Sequence, residues 1–253
     1  RLTTMDVYEY PAGSPHNGLY LKGFLYDGIY GDTGNVFTGS LAEDGTFLYI
    51  ACHGDGNLYQ YDMSTWVLED SVYLGGAAVD SLHAALYGDD GYVYVTTVSW
   101  PAKTHKVDVT NLAAYTTLEF LADDNTATDD FADEGTYLYV ALEHWDSFGI
   151  IYKILKSDIS SYTRLDTGIN APCWAAQYDG KYVWAVYRSM LLGQVSILVR
   201  IDPTDDSMTY YGVPELDWAN EIMFHSGMIF VTDWGTPTSI VKLLDPNALA
   251  IDV

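Results

Sequence analysis

Basic residues are scarce in this chain of 253: 11 Lys and Arg stand against 35 Asp and Glu, a formal charge of −24. A field of that sign repels phosphate backbones and anionic lipid surfaces, which excludes nucleic acid and bare bilayer as partners. Long apolar runs are missing too. Stretches such as Gly149-Ile150-Ile151-Tyr152 fall far short of the roughly 20 residues a membrane-spanning helix needs, so no membrane insertion is expected. Only two cysteines occur, Cys52 and Cys173, 121 positions apart, which supports neither a disulfide framework nor a CxxC motif and reads as buried free thiols. No Asn-x-Ser/Thr sequon occurs among the eight Asn, which disfavours a glycosylated eukaryotic secreted protein. GxSxG, HExxH and P-loop patterns are absent, and no two of the six His stand at metal-ligand spacing on one strand.

What the chain does have is apolar content of 49%, aromatic content of 15% and 22 Tyr, a composition that folds around a core. It also repeats. A turn followed by an aromatic-rich strand recurs five times, at Asp44-Gly45-Thr46-Phe47-Leu48-Tyr49-Ile50, Asp90-Gly91-Tyr92-Val93-Tyr94-Val95, Glu134-Gly135-Thr136-Tyr137-Leu138-Tyr139-Val140, Asp179-Gly180-Lys181-Tyr182-Val183-Trp184-Ala185 and Ser226-Gly227-Met228-Ile229-Phe230-Val231. The second aromatics Tyr49, Tyr94, Tyr139, Trp184 and Phe230 are spaced 45, 45, 45 and 46 residues apart. Each Asp-Gly type pair marks a hairpin, and the alternation beyond it suits a pleated strand. A third strand follows, often closing on Asp, as in Leu58-Tyr59-Gln60-Tyr61-Asp62 and Leu198-Val199-Arg200-Ile201-Asp202, and then a more polar fourth strand such as Ser207-Met208-Thr209-Tyr210-Tyr211.

Four antiparallel strands per 45-residue unit, in tandem and without amphipathic helices, is the sequence form of an all-β propeller blade. The units resemble YVTN/NHL-like propeller repeats, and Val98-Ser99-Trp100-Pro101-Ala102-Lys103-Thr104-His105-Lys106-Val107-Asp108 is similar to the version common in phage structural proteins. That resemblance covers 35–253 and implies a fold; it brings no catalytic residue with it. The expected arrangement is a single five-bladed β-propeller over 1–253, with 1–34 a leading or closing segment and blades at about 35–78, 79–124, 125–169, 170–214 and 215–253. The alternative is part of a six- or seven-bladed ring. Closure is favoured because an open ring leaves long sheet edges unpaired.

Positions that differ between blades are the candidates for a site. Where each second strand runs out into the next loop stand His53, Trp100, His144 with Trp145, Tyr187 with Arg188, and Asp233 with Trp234; the loops between blades add Trp218, Asn220 and Trp174 on the same face. Exposed rings beside hydrogen-bonding groups suit a sugar, whose C–H face packs on an aromatic ring, and equally a protein, because Trp, Tyr and Arg dominate interface hot spots. The ligand-binding set is therefore His53, Trp100, His144, Trp145, Arg188, Trp218 and Trp234. The expected function is a noncatalytic binding or structural propeller, displayed on a virion or cell surface, holding a glycan or protein, alone or as part of a larger assembly. The alternative is a five-bladed glycoside hydrolase or lyase. Counted from the turn glycine, Asp129 and Glu221 share an offset six residues before Gly135 and Gly227, where two carboxylates would reach a central channel as acid and base. The acidic stretch Asp123–Asp130 has the look of a calcium loop but lacks EF-hand spacing, so no cofactor is expected.

Overall fold

The computed structural model describes residues 38–52, 55–75, 81–99, 101–120, 126–142, 149–188, 196–213, 216, 219–233 and 240–249, and none of these is helical. The predicted leading segment 1–34 and the end of the predicted last strand, 250–253, lie outside them. The aromatic and β-branched residues after each turn form strands of antiparallel sheets that are buried on both faces.

The first sheet runs β1 (Thr38–Glu43), β2 (Phe47–Cys52), β3 (Asn57–Asp62) and β4 (Leu68–Tyr73), each strand paired with the next. The second comprises β5 (Ser81–Tyr87), β6 (Tyr92–Ser99), β7 (Lys103–Asp108) and β8 (Tyr115–Glu119); the third, β9 (Thr126–Asp133), β10 (Tyr137–Leu142), β11 (Ile150–Leu155) and β12 (Tyr162–Asp166). The fourth is β13 (Cys173–Tyr178), β14 (Val183–Tyr187), β15 (Ser196–Ile201) and β16 (Met208–Val213); the last, among the described residues, is β17 (Ala219–His225), β18 (Met228–Asp233) and β19 (Ile240–Leu244). Two rungs between β6 and β9, Val98↔Ala127 and Ser99↔Thr126, tie the second and third sheets together.

Neighbouring sheets meet through their first strands, β1 against β5, β5 against β9, β9 against β13 and β13 against β17. This is a β-propeller of four-stranded antiparallel blades. Its core lies between blades: Tyr49, Leu58 and Leu74 meet Leu82, Val93 and Leu112, and the same sandwich repeats between the second and third, third and fourth, and fourth and fifth sheets. The remaining face of the first blade buries Leu48, Ile50 and Cys52 in a cluster that, among the described residues, draws only on that blade.

The repeated residues are explained by two devices. In the first, the turn carboxylate caps its own hairpin and holds the second aromatic. Asp44 Oδ1 accepts from the amides of Thr46 and Phe47 at 2.8 and 2.7 Å while Oδ2 accepts from the Tyr49 hydroxyl at 2.7 Å. Asp90 holds the Tyr94 hydroxyl, and Asp179 holds the indole N–H of Trp184, both at 2.8 Å. The third blade has Glu134, whose longer arm reaches the Tyr137 amide but leaves the buried Tyr139 hydroxyl with no hydrogen bond. The fifth has Ser226 and Phe230, losing acceptor and donor together. A buried donor without a partner is costly, whereas removing it is not. Tyr139→Phe is therefore expected to leave stability unchanged or raise it, while Tyr94→Phe costs about 1–2 kcal/mol; paired urea unfolding curves check the contrast.

The second device uses the scarce bases. The third-strand residues facing the second aromatics are Gln60, Lys106, Lys153 and Arg200. Three of them reach a turn of the following blade: Gln60 donates to the Val109 carbonyl at 3.0 Å, Lys106 to that of Lys156, and Lys153 to that of Pro203 at 2.9 Å and to Asp206 at 2.6 Å. On the way the cations lie over the first aromatics, Lys106 at 3.9 Å from the centre of Tyr92, Lys153 at 4.7 Å from Tyr137 and Arg200 at 4.5 Å from Tyr182.

Candidate functional site

The first strand of every blade carries a β-bulge near the same rung. The ladder slips between Thr38 and Ser40, Leu82 and Ala85, Thr128 and Asp130, Cys173 and Ala175, and Ala219 and Ile222. The extra residues are Gly39, His83, Asp129, Trp174 and Asn220, a different one in each blade. A bulge re-aims its side chain and bends the strand end, and such bulges concentrate next to functional sites. The distortion is stabilised locally. In the second blade the Ala84 amide donates to the Thr96 hydroxyl at 3.0 Å, and in the fifth the Glu221 amide donates to that of Thr232, again at 3.0 Å.

All five bulges lie beside the ends of the second strands, the end that the sequence singles out. Of the seven predicted ligand-binding residues, His53, Trp100, His144, Trp145, Trp218 and Trp234 lie outside the described residues. Arg188 is described. It follows β14, its amide bonded to the Pro172 carbonyl at 3.1 Å, and its guanidinium lies 4.5 Å from the centre of the Trp174 ring. The structure thus joins Arg188 to the bulge residue of its own blade. The indole Nε1 of Trp174 is buried without a hydrogen-bond partner. Tyr187, named with Arg188 in the sequence, turns the other way: it is fully buried between the third and fourth blades, where a Cβ added at Gly149 would strike its ring.

The carboxylates are placed differently from the turn-glycine count. Asp130 precedes Phe131, paired with Val140, and Glu221 precedes Ile222, paired with Val231. Asp130 and not Asp129 therefore matches Glu221; Asp129 occupies the bulge. The count fails because the last hairpin is tighter. His225 pairs directly with Met228 around Ser226 and Gly227, at φ 52° and 78°, whereas Asp133 pairs with Leu138 across four residues. Counted back from the second aromatic, Ser40, Asp130, Ala175 and Glu221 all lie nine residues before it. That count, unlike the turn, finds the correspondence in these four blades; in the second the counterpart is Ala84, ten residues before Tyr94.

Asp130 bridges blades: its carboxylate accepts from the Phe131 amide at 2.8 Å and the Ala176 amide of the next blade at 3.3 Å. Part of the residue touches solvent, yet its carboxyl lies deep. Burial, and then the charge of Glu221, push it up to about 8, and the two amides only partly offset this. Burial also raises Glu221. Two carboxyls both raised, one of them by the charge of the other, are a pair of the kind that acid and base chemistry uses. Among the described residues no group of three or more His, Cys, Asp or Glu is placed to hold a metal ion. Residues 123–125 of the acidic stretch lie outside the described set.

The fold is a propeller whose inner strands bulge at one end of the blades, with a different residue in each bulge. No protein-family model and no curated protein matches the sequence. Solved structures do. One from the crystal structure of the mitotic checkpoint complex is 14% identical with a TM-score of 0.66, over 86% of this chain and 64% of that one. The Pan2 WD40 domain of Neurospora crassa is 7% identical with a TM-score of 0.59, over 82% and 63%. A protein of unknown function from Bacteroides caccae is 9% identical with a TM-score of 0.62, over 91% and 86%. This chain spans less than two thirds of the first two. At such identities the likeness shows the fold alone.

Proposed function

We propose that this chain is a noncatalytic binding propeller that docks a partner protein on its bulged face, with Arg188 and Trp174 as one anchor of the contact. The observation that carries the reading is the series of five bulges near the same rung, with a different residue at each. A purely structural bulge has no need of His, Asp, Trp and Asn in turn. Arg and Trp are both among the residues enriched at interface hot spots, and here the guanidinium lies over the indole. Propellers of this fold occur in assemblies, among them the mitotic checkpoint complex and a nidogen/laminin complex. A surface setting, on a cell or a virion, fits the YVTN-like and phage-like repeat wording, the acidic rim and a structural neighbour that is an extracellular domain from B. thetaiotaomicron. A glycan is the other ligand class suited to these rings. Five blades closed by the leading segment is the arrangement we favour, supported by the burial of Ile50 and Cys52 on the first blade's remaining face.

Binding of the immobilised protein to arrays of surface proteins and glycans tests this. Arg188→Ala and Trp174→Ala are each expected to weaken the retained partner by about 2 kcal/mol or more. Unchanged affinity in both variants contradicts the choice of face.

One observation favours a second reading. Asp130, which feels the charge of Glu221, has the raised pKa of a general acid, as a glycoside hydrolase requires. Loss of a measurable sugar cleavage in both Asp130→Asn and Glu221→Gln would establish it; no cleavage by the wild type on a panel of polysaccharides rejects it.

A further inference from the structure

The connections between third and fourth strands are not all alike. In the first and fourth blades they close from Asp62 to Val67 and from Asp202 to Ser207, whereas in the second and third they close one residue later, from Asp108 to Ala114 and from Leu155 to Ser161. The two longer turns are neighbours. Between them, on the outer strand β8, lies a groove of about 570 Å³. That volume is within the span of small-molecule sites, about 300–1,000 Å³. It lies at the hairpin end of the blades, opposite the bulges, because Tyr92, in its wall, begins β6 where Ser99 ends it.

The floor is apolar, made by the buried Leu118 and Ile159, and at the mouth the ring of Tyr115 is 42% exposed, one of few large side chains in the described residues so open to solvent. Tyr115 is set edge-on to the His105 ring at 5.8 Å. Three carboxylates line the groove, Asp108, Glu119 and Asp158, and two of them are held by their own turns. Asp108 accepts through Oδ1 from the amide and hydroxyl of Thr110 at 2.8 and 2.7 Å, and Asp158 likewise from Ser160 at 3.1 and 2.6 Å. The second oxygen of each remains as a fixed acceptor. These hydroxyl bonds keep both carboxyls below the usual range, hence ionised at any ordinary pH. Against them, the Lys106 ammonium lies over the Tyr92 ring in the wall.

We propose that this groove is a binding site for a neutral saccharide. An exposed ring at the mouth matches the C–H face of a pyranose, and fixed carboxylate oxygens match its hydroxyl donors. The Lys106 ammonium is already paired with Asp90 at 3.4 Å; an anion would meet Asp108, Glu119 and Asp158, whereas the hydroxyls of a neutral polyol donate to those same oxygens. The site is independent of the partner-binding face, and the two fail separately.

Ligand-observed NMR titration with cellotetraose, maltotetraose, xylotetraose and mannotetraose tests it, with trigalacturonate and a chitosan tetramer as charged controls. At least one neutral tetrasaccharide is expected to bind, with Kd raised about tenfold or more in Tyr115→Ala, retained in Tyr115→Trp and unchanged in Arg188→Ala at the other end. Tyr115 is exposed, so its variants keep the fold. Three results overturn the proposal: no neutral sugar bound at about 10 mM, binding indifferent to Tyr115→Ala, or binding of the charged sugars alone.

Discussion

Lys156→Met is expected to destabilise the protein by about 3–5 kcal/mol, the cost of removing one partner of a buried ion pair. The position follows the third strand, where the other blades have Met63, Val109, Pro203 and Pro246. Its side chain is 6% exposed, and its ammonium donates to Asp133 at 2.7 Å and to the Gly88 carbonyl of the preceding blade. The Lys156 carbonyl receives Lys106 from that same blade. The second and third blades are thus clasped in both directions. Methionine fills the volume of the aliphatic stem but leaves Asp133, 19% exposed, without its cation and the Gly88 carbonyl without its donor. Adding Asp133→Asn to Lys156→Met is expected to recover part of the loss, because a neutral amide is less costly to leave there. Urea denaturation of the single and double variants measures both. A single variant within about 0.5 kcal/mol of wild type would show that the clasp contributes nothing.

Asp130→Asn is expected to change the pH dependence of stability more than any other single substitution. Unfolded, this carboxyl titrates near 4; folded, it is pushed up to about 8 by burial and by Glu221. The folded state thus binds the proton more tightly. The contribution to stability is full below about pH 4, declines as pH rises and is lost above about 8, at roughly 1.4 kcal/mol per pH unit and on the order of 5 kcal/mol at most. The asparagine variant should match the wild type near pH 4, exceed it at pH 9 and flatten the curve between. Glu221→Gln removes the charge that adds to the shift, so it should move the upper end of the decline to lower pH. The turn carboxylates Asp62, Asp108, Asp158 and Asp202 work in the opposite direction, since hydroxyl and amide hydrogen bonds hold each below its usual range. Their contribution is present above about pH 4 and is lost in more acidic solution. Thermal unfolding of wild type and both variants from pH 3 to 9 separates the two groups.

The sheets were legible because a strand hairpin has a local signature. Asp-Gly followed by alternating aromatic and β-branched residues determines both turn and pleat, and the Asp that ends many third strands proves to cap its own turn, as Asp202 does for Thr204 at 2.6 Å. The −24 charge is partly this architecture, while three of the few bases, Lys106, Lys153 and Lys156, act as clasps between blades. Register was less legible. A bulge adds one residue without marking it in the sequence, and hairpins of unequal length displace any count made from the turn, which is how Asp129 stood in for Asp130. Burial also depends on partners distant in the chain: Tyr187 and Arg188 are adjacent, yet one enters the core against Gly149 and the other lies over Trp174. The groove beside Tyr115 depends on two turns 47 residues apart, each unremarkable alone.

Hydrogen–deuterium exchange of the protein alone and with the partner retained on the arrays tests the bulged face most directly. A docked partner should protect the amides around the bulges, at Ala84, Ala175 and Glu221, together with the end of β14 at Arg188, and leave the Asp-Gly hairpins at Gly45, Gly91 and Gly180 exchanging as before. Protection confined to the hairpin end, or turnover of the bound ligand with no lasting protection at either end, contradicts a noncatalytic propeller that binds through its bulges.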